Sequence, residues 1–157
     1  MSDKPNVKLP PPLIYGGAFA IGFALDWLLP WSAFSGPLRW WLAGVAGLPA
    51  VGIALWALLT FRRADTAIEP WEPARHLVTH GPYAYTRNPM YVSLTLLTAA
   101  IAVAVDFPWA VLMVPVAVLV TDQHVIAREE VHLRHMFGTA YRDYCTRTRR
   151  WLGRKAG

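Results

Sequence analysis

Four long apolar runs, separated by turns and polar segments, constrain this chain more than any other feature. They occupy residues 13–30, 38–61, 90–105 and 109–125. About 20 helical residues cross a bilayer core of about 30 Å, so such runs are typical of membrane-spanning helices. Charged residues make up only 16% of the chain, against about 25% in soluble domains. We therefore predict an all-α fold: a single integral membrane domain over residues 1–157, with a bundle of four transmembrane helices and a cytoplasmic C-terminal helical segment.

The last two runs are short for full spans. We expect them either to continue as helix beyond the bilayer surface or to cross a locally thinned bilayer. Between them, Asp106 precedes Phe107 and Pro108, which predicts a tight turn with the Asp106 side chain capping the fourth helix. The first run follows two lysines, as in a signal peptide, but no A-x-A cleavage pattern follows it, so we interpret it as a retained span.

The basic residues are distributed asymmetrically about the four runs. With a cytoplasmic N-terminus, every lysine and arginine except Arg39 lies on the cytoplasmic side. This bias predicts a multi-pass protein with both termini in the cytoplasm, in the inner membrane if the protein is bacterial. The formal net charge is +5. We expect this charge, concentrated in a basic amphipathic C-terminal helix, to contact anionic lipid headgroups and not nucleic acid.

Two polar segments, residues 66–91 and 124–151, then face the cytoplasm together. The first contains the turn-forming sequence Gly81-Pro82-Tyr83, which by itself indicates only a loop between helices. The second contains the carboxylate pair Glu129-Glu130, which either lies on a solvated helix face or binds something cationic. Paired carboxylates beside an anionic surface are costly without a cation, so the pair favours a binding site at the membrane face.

The sequence contains no pattern typical of a metal site or of a nucleotide-binding loop. The five histidines form no zinc-binding pattern and the single cysteine adds none, so we predict no metal. No P-loop or dinucleotide-binding motif is present. His124 ends the fourth run, where an ionisable side chain is either a functional group or simply hydrogen-bonded to a backbone carbonyl.

Together the two segments resemble a family of integral-membrane methyltransferases that includes isoprenylcysteine carboxyl methyltransferase and the phospholipid N-methyltransferases. The likeness runs from about residue 66 to residue 151. It rests on two patterns in the same order as in the family, Leu77-Val78-Thr79-x-Gly81-Pro82-Tyr83-x-x-x-Arg87-Asn88-Pro89-x-Tyr91 and Glu129-Glu130-x-x-Leu133-x-x-x-Phe137-Gly138-x-x-Tyr141-x-x-Tyr144.

The resemblance implies transfer of a methyl group from S-adenosylmethionine to a lipophilic acceptor at the cytoplasmic membrane face. The cofactor is expected between the cytoplasmic ends of the last spans and the C-terminal helix. The residues expected to bind it are Arg75, His76, Leu77, Val78, Gly81, Tyr83, Asn88, Pro89, Tyr91, Glu129 and Glu130. Those expected to take part in catalysis are His124, Glu129 and Arg87.

Two positions depart from the family pattern. Asn88 stands where the family often has histidine. Val125 stands where the isoprenylcysteine enzymes have an arginine implicated in gripping the substrate carboxylate, which disfavours a prenylcysteine carboxylate as acceptor. His124 is then a candidate base for an amine, thiol or hydroxyl. The alternatives are a phospholipid or small amine or thiol methyltransferase and, from another class, a non-catalytic membrane scaffold or a membrane reductase.

Overall fold

Each of the four apolar runs forms a helix. The computed structural model describes residues 10–64 and 76–154. In chain order the elements are α1 (Pro11–Leu28), α2 (Leu38–Arg63), a 3₁₀ turn (Gly81–Ala84), α3 (Pro89–Ala104), α4 (Pro108–Thr121), a π-helical turn (Asp122–Ile126) and α5 (Ala127–Arg147). Those two stretches of chain contain no β-strand, only one isolated bridge between Thr148 and Arg154. The all-α prediction is confirmed.

Two helices are long and apolar enough to cross a membrane. One is α2, with 26 residues, and the other is the continuous helix Pro108–Arg147, in which the π-helical turn joins α4 to α5. The fourth run therefore continues as helix past its apolar part. Only 11% of an apolar 18-residue stretch of α2 is buried in the protein. Its Trp40, Trp41 and Leu48 are exposed. An apolar surface of this extent fits contact with lipid better than contact with water.

Small residues allow close packing between the helices. Helix α2 packs mainly against α3, and α1 mainly against α4. A Cβ atom at Gly22 of α1 would lie 2.2 Å from the Cα atom of Ala110 in α4, so this crossing requires glycine. Ser93 of α3 donates a 2.7 Å hydrogen bond to the carbonyl of Ala50 in α2. Such contacts join helices where lipid supplies no hydrophobic driving force.

The predicted cap at Asp106 is wrong. Phe107 occupies the N-cap position of α4, and no side chain caps that helix. The Asp106 carboxylate instead accepts a 2.5 Å hydrogen bond from the Ser32 hydroxyl and a 2.8 Å hydrogen bond from the Phe34 backbone N–H. These donors lie in the α1–α2 loop, where backbone N–H groups lack helical partners. Asp106 therefore joins two loops at one end of the bundle.

Helix α5 is divided by a kink at Gly138. This residue has φ 52° and ψ −119°, a conformation that glycine adopts without the steric cost of a Cβ atom. The second half of α5 carries Tyr141 and Tyr144, both buried in a cluster with Ala57 and Tyr83. The aromatic face of the C-terminal helix thus packs on the protein and brings the helix beside the first polar segment.

Candidate active site

The first polar segment is fixed against α2 by a turn that only glycine can form. Gly81 begins the 3₁₀ turn with φ +63°. A Cβ atom at this position would lie 2.9 Å from Thr60 Oγ1 and 3.3 Å from Trp56 Nε1. The backbone conformation and the close approach both require glycine. These two structural requirements explain why glycine begins this motif.

Three residues expected to bind the cofactor, Leu77, Val78 and Tyr83, lie together in an apolar cluster. The Tyr83 ring stacks on Phe61 with 4.8 Å between ring centroids. The Tyr83 carbonyl accepts a 2.6 Å hydrogen bond from the Tyr144 hydroxyl, which ties α5 to the turn. Burial raises the pKa of the Tyr83 hydroxyl above its ordinary value. Tyr83 therefore presents a neutral aromatic side chain on a rigid support.

The beginning of α3 brings Tyr91 to the carboxylate pair. Pro89 is fully buried in the first helical turn. In the same turn, the Tyr91 hydroxyl donates a 2.6 Å hydrogen bond to Glu129 Oε1. Asn88 is the N-cap residue, but its side chain does not cap α3; its Nδ2 donates a 2.9 Å hydrogen bond to the carbonyl of Arg150. The two predicted segments therefore meet at α3.

Glu130 is buried and fully paired. The residue is 5% exposed. Arg150 donates a hydrogen bond from Nε to one carboxylate oxygen and another from Nη2 to the second, each at 2.8 Å. Arg87 Nη2 lies 3.0 Å from Glu130 Oε1. A buried carboxylate is stable only when its charge is compensated and its oxygens are hydrogen-bonded, and two arginines do both here.

Glu129 has the opposite surroundings. It is partly exposed, and within residues 10–64 and 76–154 it forms no ion pair with lysine or arginine. It lies in α5, beyond the apolar helix α4. Burial raises the pKa of Glu129 to about 7; the Tyr91 hydrogen bond opposes this shift, and the charge of Glu130 adds to it. Among the side chains that the structure describes, Glu129 is therefore a carboxylate held in place by a neutral donor.

The ion-pair network extends from Glu130 to the π-helical turn. Arg150 Nη1 lies 2.9 Å from Asp122 Oδ2, and Trp151 Nε1 donates a 2.8 Å hydrogen bond to Asp122 Oδ1. Arg87 Nη1 also contacts the sulfur of Cys145. Arg87 and Arg150 balance the charge of the two carboxylates, and Arg134 Nη2 lies 3.5 Å from Glu130 Oε2 at the edge of the network. Arg87, which was predicted to be catalytic, is thus engaged with protein groups.

Three predicted site residues remain: His124, His76 and Arg75. His124 is exposed on the π-helical turn, with Nδ1 3.3 Å from the Val120 carbonyl oxygen. This is the backbone hydrogen bond that the sequence left open as one alternative. His76 is exposed beside the apolar cluster of Leu77 and Val78. Arg75 lies outside the described residues.

Three residues of the network were not predicted as site residues. Arg150 was one of many basic residues in the C-terminal segment, Asp122 marked only the end of an apolar run, and Thr86 belonged to no motif. Thr86 donates a 3.2 Å hydrogen bond to the carbonyl of Arg150. No local pattern identifies these residues, because their partners lie 20 to 64 positions away in the chain.

The charge and aromatic groups of the site suit a small cationic ligand. No group of three histidine, cysteine, aspartate or glutamate side chains in the part of the chain that the structure describes could hold a metal. S-adenosylmethionine carries a sulfonium and an ammonium group. Glu129 offers a carboxylate that forms no ion pair with lysine or arginine within residues 10–64 and 76–154. Tyr91 and Tyr83 offer aromatic rings nearby, which attract cations through their faces. The residues present therefore fit this cofactor.

Comparison with known proteins agrees with the motif pattern. The family model described as phospholipid methyltransferase matches residues 38–140, which include α2, the 3₁₀ turn, α3, α4 and Glu129. An uncharacterized protein of Haemophilus influenzae (strain ATCC 51907 / DSM 11121 / KW20 / Rd) is 43% identical over 63 residues, covering 40% of this chain and 100% of that protein. No solved structure matches the chain. By the extent of the family match, this chain belongs to the phospholipid methyltransferase family.

Proposed function

We propose that this protein transfers a methyl group from S-adenosylmethionine to a lipophilic acceptor at the cytoplasmic face of a membrane. The observation that carries the proposal is the contrast between two adjacent carboxylates. Glu130 is neutralised by Arg87 and Arg150, whereas Glu129 bonds only the neutral Tyr91 hydroxyl among the described side chains. A fold that needed Glu129 only as a structural group would be expected to pair it as it pairs Glu130.

Within this proposal, Glu129 holds the cationic part of the methyl donor. The hydrogen bond from Tyr91 fixes the Glu129 carboxylate before the ligand binds, so little entropy is lost on binding. Tyr83 supplies a neutral aromatic wall that is itself held by Phe61 and Tyr144. Backbone groups of the Gly81 turn are candidates for the carboxylate or ribose of the donor.

The chemistry requires alignment more than acid or base catalysis. When bound, S-adenosylmethionine supplies an electrophilic methyl group on a sulfonium. The protein has to hold the acceptor in line with that group and exclude water. His124 is the candidate base for the proton that an amine, thiol or hydroxyl acceptor releases. If its Nδ1–H donates to the Val120 carbonyl, Nε2 is left as the basic nitrogen.

The arginine pairing favours an acceptor that is not a carboxylate. Arg87 and Arg150 are both bound to protein carboxylates, and Val125 is buried in an apolar cluster. None of these three side chains is placed to grip a substrate carboxylate. A phospholipid amine is the acceptor most consistent with the family, and a small hydrophobic amine or thiol is the next alternative.

The proposed topology has four spans and two cytoplasmic termini. Helices α1 and α3 cross with the two longer helices, and the exposed basic side chains of α5 and the following residues then face anionic headgroups. These side chains include Arg142, Arg147, Arg149 and Arg154. The surface of large exposed apolar side chains on α2 supports this arrangement.

Calorimetry with S-adenosylhomocysteine in detergent tests the proposal directly. We expect saturable binding by the wild-type protein and weak or no binding by Glu129→Ala. A folded protein that does not bind would favour the membrane scaffold, and binding of a nicotinamide nucleotide instead would favour the reductase.

Incubation of a lipid extract with labelled S-adenosylmethionine would then identify the acceptor by the mass of the labelled product. A His124→Ala variant with full turnover would remove the proposed base.

A further inference from the structure

Residues 148–154 form a short segment after α5 that closes over the first polar segment; we call it the C-terminal clasp. It begins beyond residue 140, where the family match ends. Four hydrogen bonds join the clasp to residues 85–88: Arg87 N to Arg149 O at 3.0 Å, Gly153 N to Tyr85 O at 2.8 Å, Thr86 Oγ1 to Arg150 O at 3.2 Å and Asn88 Nδ2 to Arg150 O at 2.9 Å. The clasp therefore fixes the loop that precedes α3.

Arg150 is the residue of the clasp that reaches both walls of the candidate site. Its carbonyl accepts the hydrogen bonds from the loop before α3. Its guanidinium pairs with Glu130 of α5 and Asp122 of the π-helical turn. One residue thus connects the loop leading to Tyr91 with the helix that carries Glu129.

Arg150 also sets the charge beside Glu129. Tyr91 of α3, Tyr83 of the 3₁₀ turn and Glu130 of α5 each interact electrostatically with Glu129. Both tyrosines are neutral, so Glu130 is the charged group of these three. Without Arg150, Glu130 would keep Arg87 and the exposed Arg134, whose Nη2 lies 3.5 Å away. Its less compensated charge would then oppose ionisation of Glu129.

We propose that Arg150 is a positioning residue for the methyl donor, because it holds the two walls together and neutralises Glu130 so that Glu129 can ionise and bind a cation. This role rests on the proposed function and adds to it a residue that acts through Glu130 and Glu129. Loss of the Arg150 charge should act on binding through Glu129. The pH dependence of binding is therefore the measurement that separates this role from a purely structural one.

The experiment measures S-adenosylhomocysteine binding between pH 5.5 and 8.5 by calorimetry, with thermal unfolding of each variant recorded in parallel. For Arg150→Gln we expect affinity at pH 7 to fall about ten-fold and the pH midpoint of binding to rise by about one unit. Arg150→Lys keeps the charge but not the two-pronged geometry, so it should retain the wild-type midpoint with a smaller loss of affinity. Arg147→Gln is the matched control, since Arg147 contacts only the Asp143 carbonyl among described residues.

The outcomes separate this inference from the proposed function. Wild-type protein that does not bind at any pH overturns the proposed function and this inference with it. Wild-type binding together with a folded Arg150→Gln variant of unchanged midpoint overturns the inference alone, even if that variant is less stable. If Arg150→Gln does not fold, the lysine variant decides: reduced affinity supports the inference, and unchanged affinity overturns it.

Discussion

Tyr91 and Glu129, 38 residues apart in the chain, meet through a 2.6 Å hydrogen bond in which the phenol donates to the carboxylate. The bond joins the first turn of α3 to the first turn of α5. It fixes a partly exposed carboxylate with a neutral partner, while the adjacent Glu130 is neutralised by two arginines. This difference between neighbouring carboxylates is the basis of the binding predictions.

Removing the Tyr91 hydroxyl should weaken binding of S-adenosylhomocysteine. A hydrogen bond to a charged group contributes about 1.5–3 kcal/mol, so Tyr91→Phe should lower the affinity about ten-fold or more at pH 7. Calorimetry in detergent measures the change. Tyr85→Phe is the control, because Tyr85 is exposed and its ring contacts Arg154 and Trp56 without a hydrogen bond from its hydroxyl in the described residues. Equal affinities for the two variants would contradict a role for the Tyr91–Glu129 bond.

The affinity for the same ligand should increase as the pH rises through about 7. Below that pH the Glu129 carboxyl is protonated and cannot attract the ligand's ammonium group; above it, the carboxylate is ionised. Glu129→Gln should bind weakly with little dependence on pH across this range. A glutamine variant that keeps the wild-type pH profile would assign the titration to another group.

The stability of the unliganded protein should show the opposite trend. The pKa of Glu129 is raised from 4.5 to about 7 on folding. The contribution of Glu129 to the free energy of unfolding is therefore fully present below pH 4.5 and is lost as the pH rises through about 7. We expect Glu129→Gln to melt a few degrees above the wild-type protein at pH 8 and to lose this advantage at pH 5. Thermal unfolding at the two pH values checks the sign. A glutamine variant less stable than wild type at pH 8 would mean that Glu129 has a structural partner.

Substitution of Gly81 should destabilise the protein. Gly81→Ala would combine a left-handed backbone with a contact of 2.9 Å to Thr60, for an expected loss of about 1–3 kcal/mol. Gly52→Ala is the matched control, since Gly52 lies within α2 with nothing within 4 Å of its Cβ position. Alanine in a helix should be neutral or stabilising there. Thermal unfolding of both variants distinguishes the turn from a general effect of added methyl groups.

Removal of the buried carboxylate should be more costly still. Glu130→Gln leaves Arg87 and Arg150 without their shared partner, and breaking a buried ion pair costs about 3–5 kcal/mol. Arg134→Gln removes only an exposed partner of the same carboxylate and should cost less than about 0.5 kcal/mol. The comparison uses unfolding midpoints in one detergent. Similar losses in the two variants would contradict the assignment of Glu130 as the centre of the network.

Much of the fold and part of the site followed from local sequence patterns. Apolar runs predicted each helix, because a long apolar segment has to satisfy its own backbone hydrogen bonds. The two motif segments were expected to meet, and they do so at Tyr91 and Glu129. The helix cap predicted for Asp106 is wrong because its carboxylate binds distant donors and not the N–H groups of the nearby helix. These donors, the Ser32 hydroxyl and the Phe34 N–H, lie more than 70 positions away in the chain.

The sequence by itself determined the helical architecture, the position of the turn at Gly81 and the family to which the motifs belong. Only the tertiary structure decided that Glu130 pairs with two arginines while Glu129, within the described residues, accepts a hydrogen bond from the neutral Tyr91 hydroxyl, and that Arg150 connects the two walls of the site. The physical reason is that charge compensation depends on distance in space. The two adjacent glutamates are the same residue type in the sequence. They differ in the structure because two distant arginines pair with Glu130: Arg87, 43 positions away, and Arg150, 20 positions away.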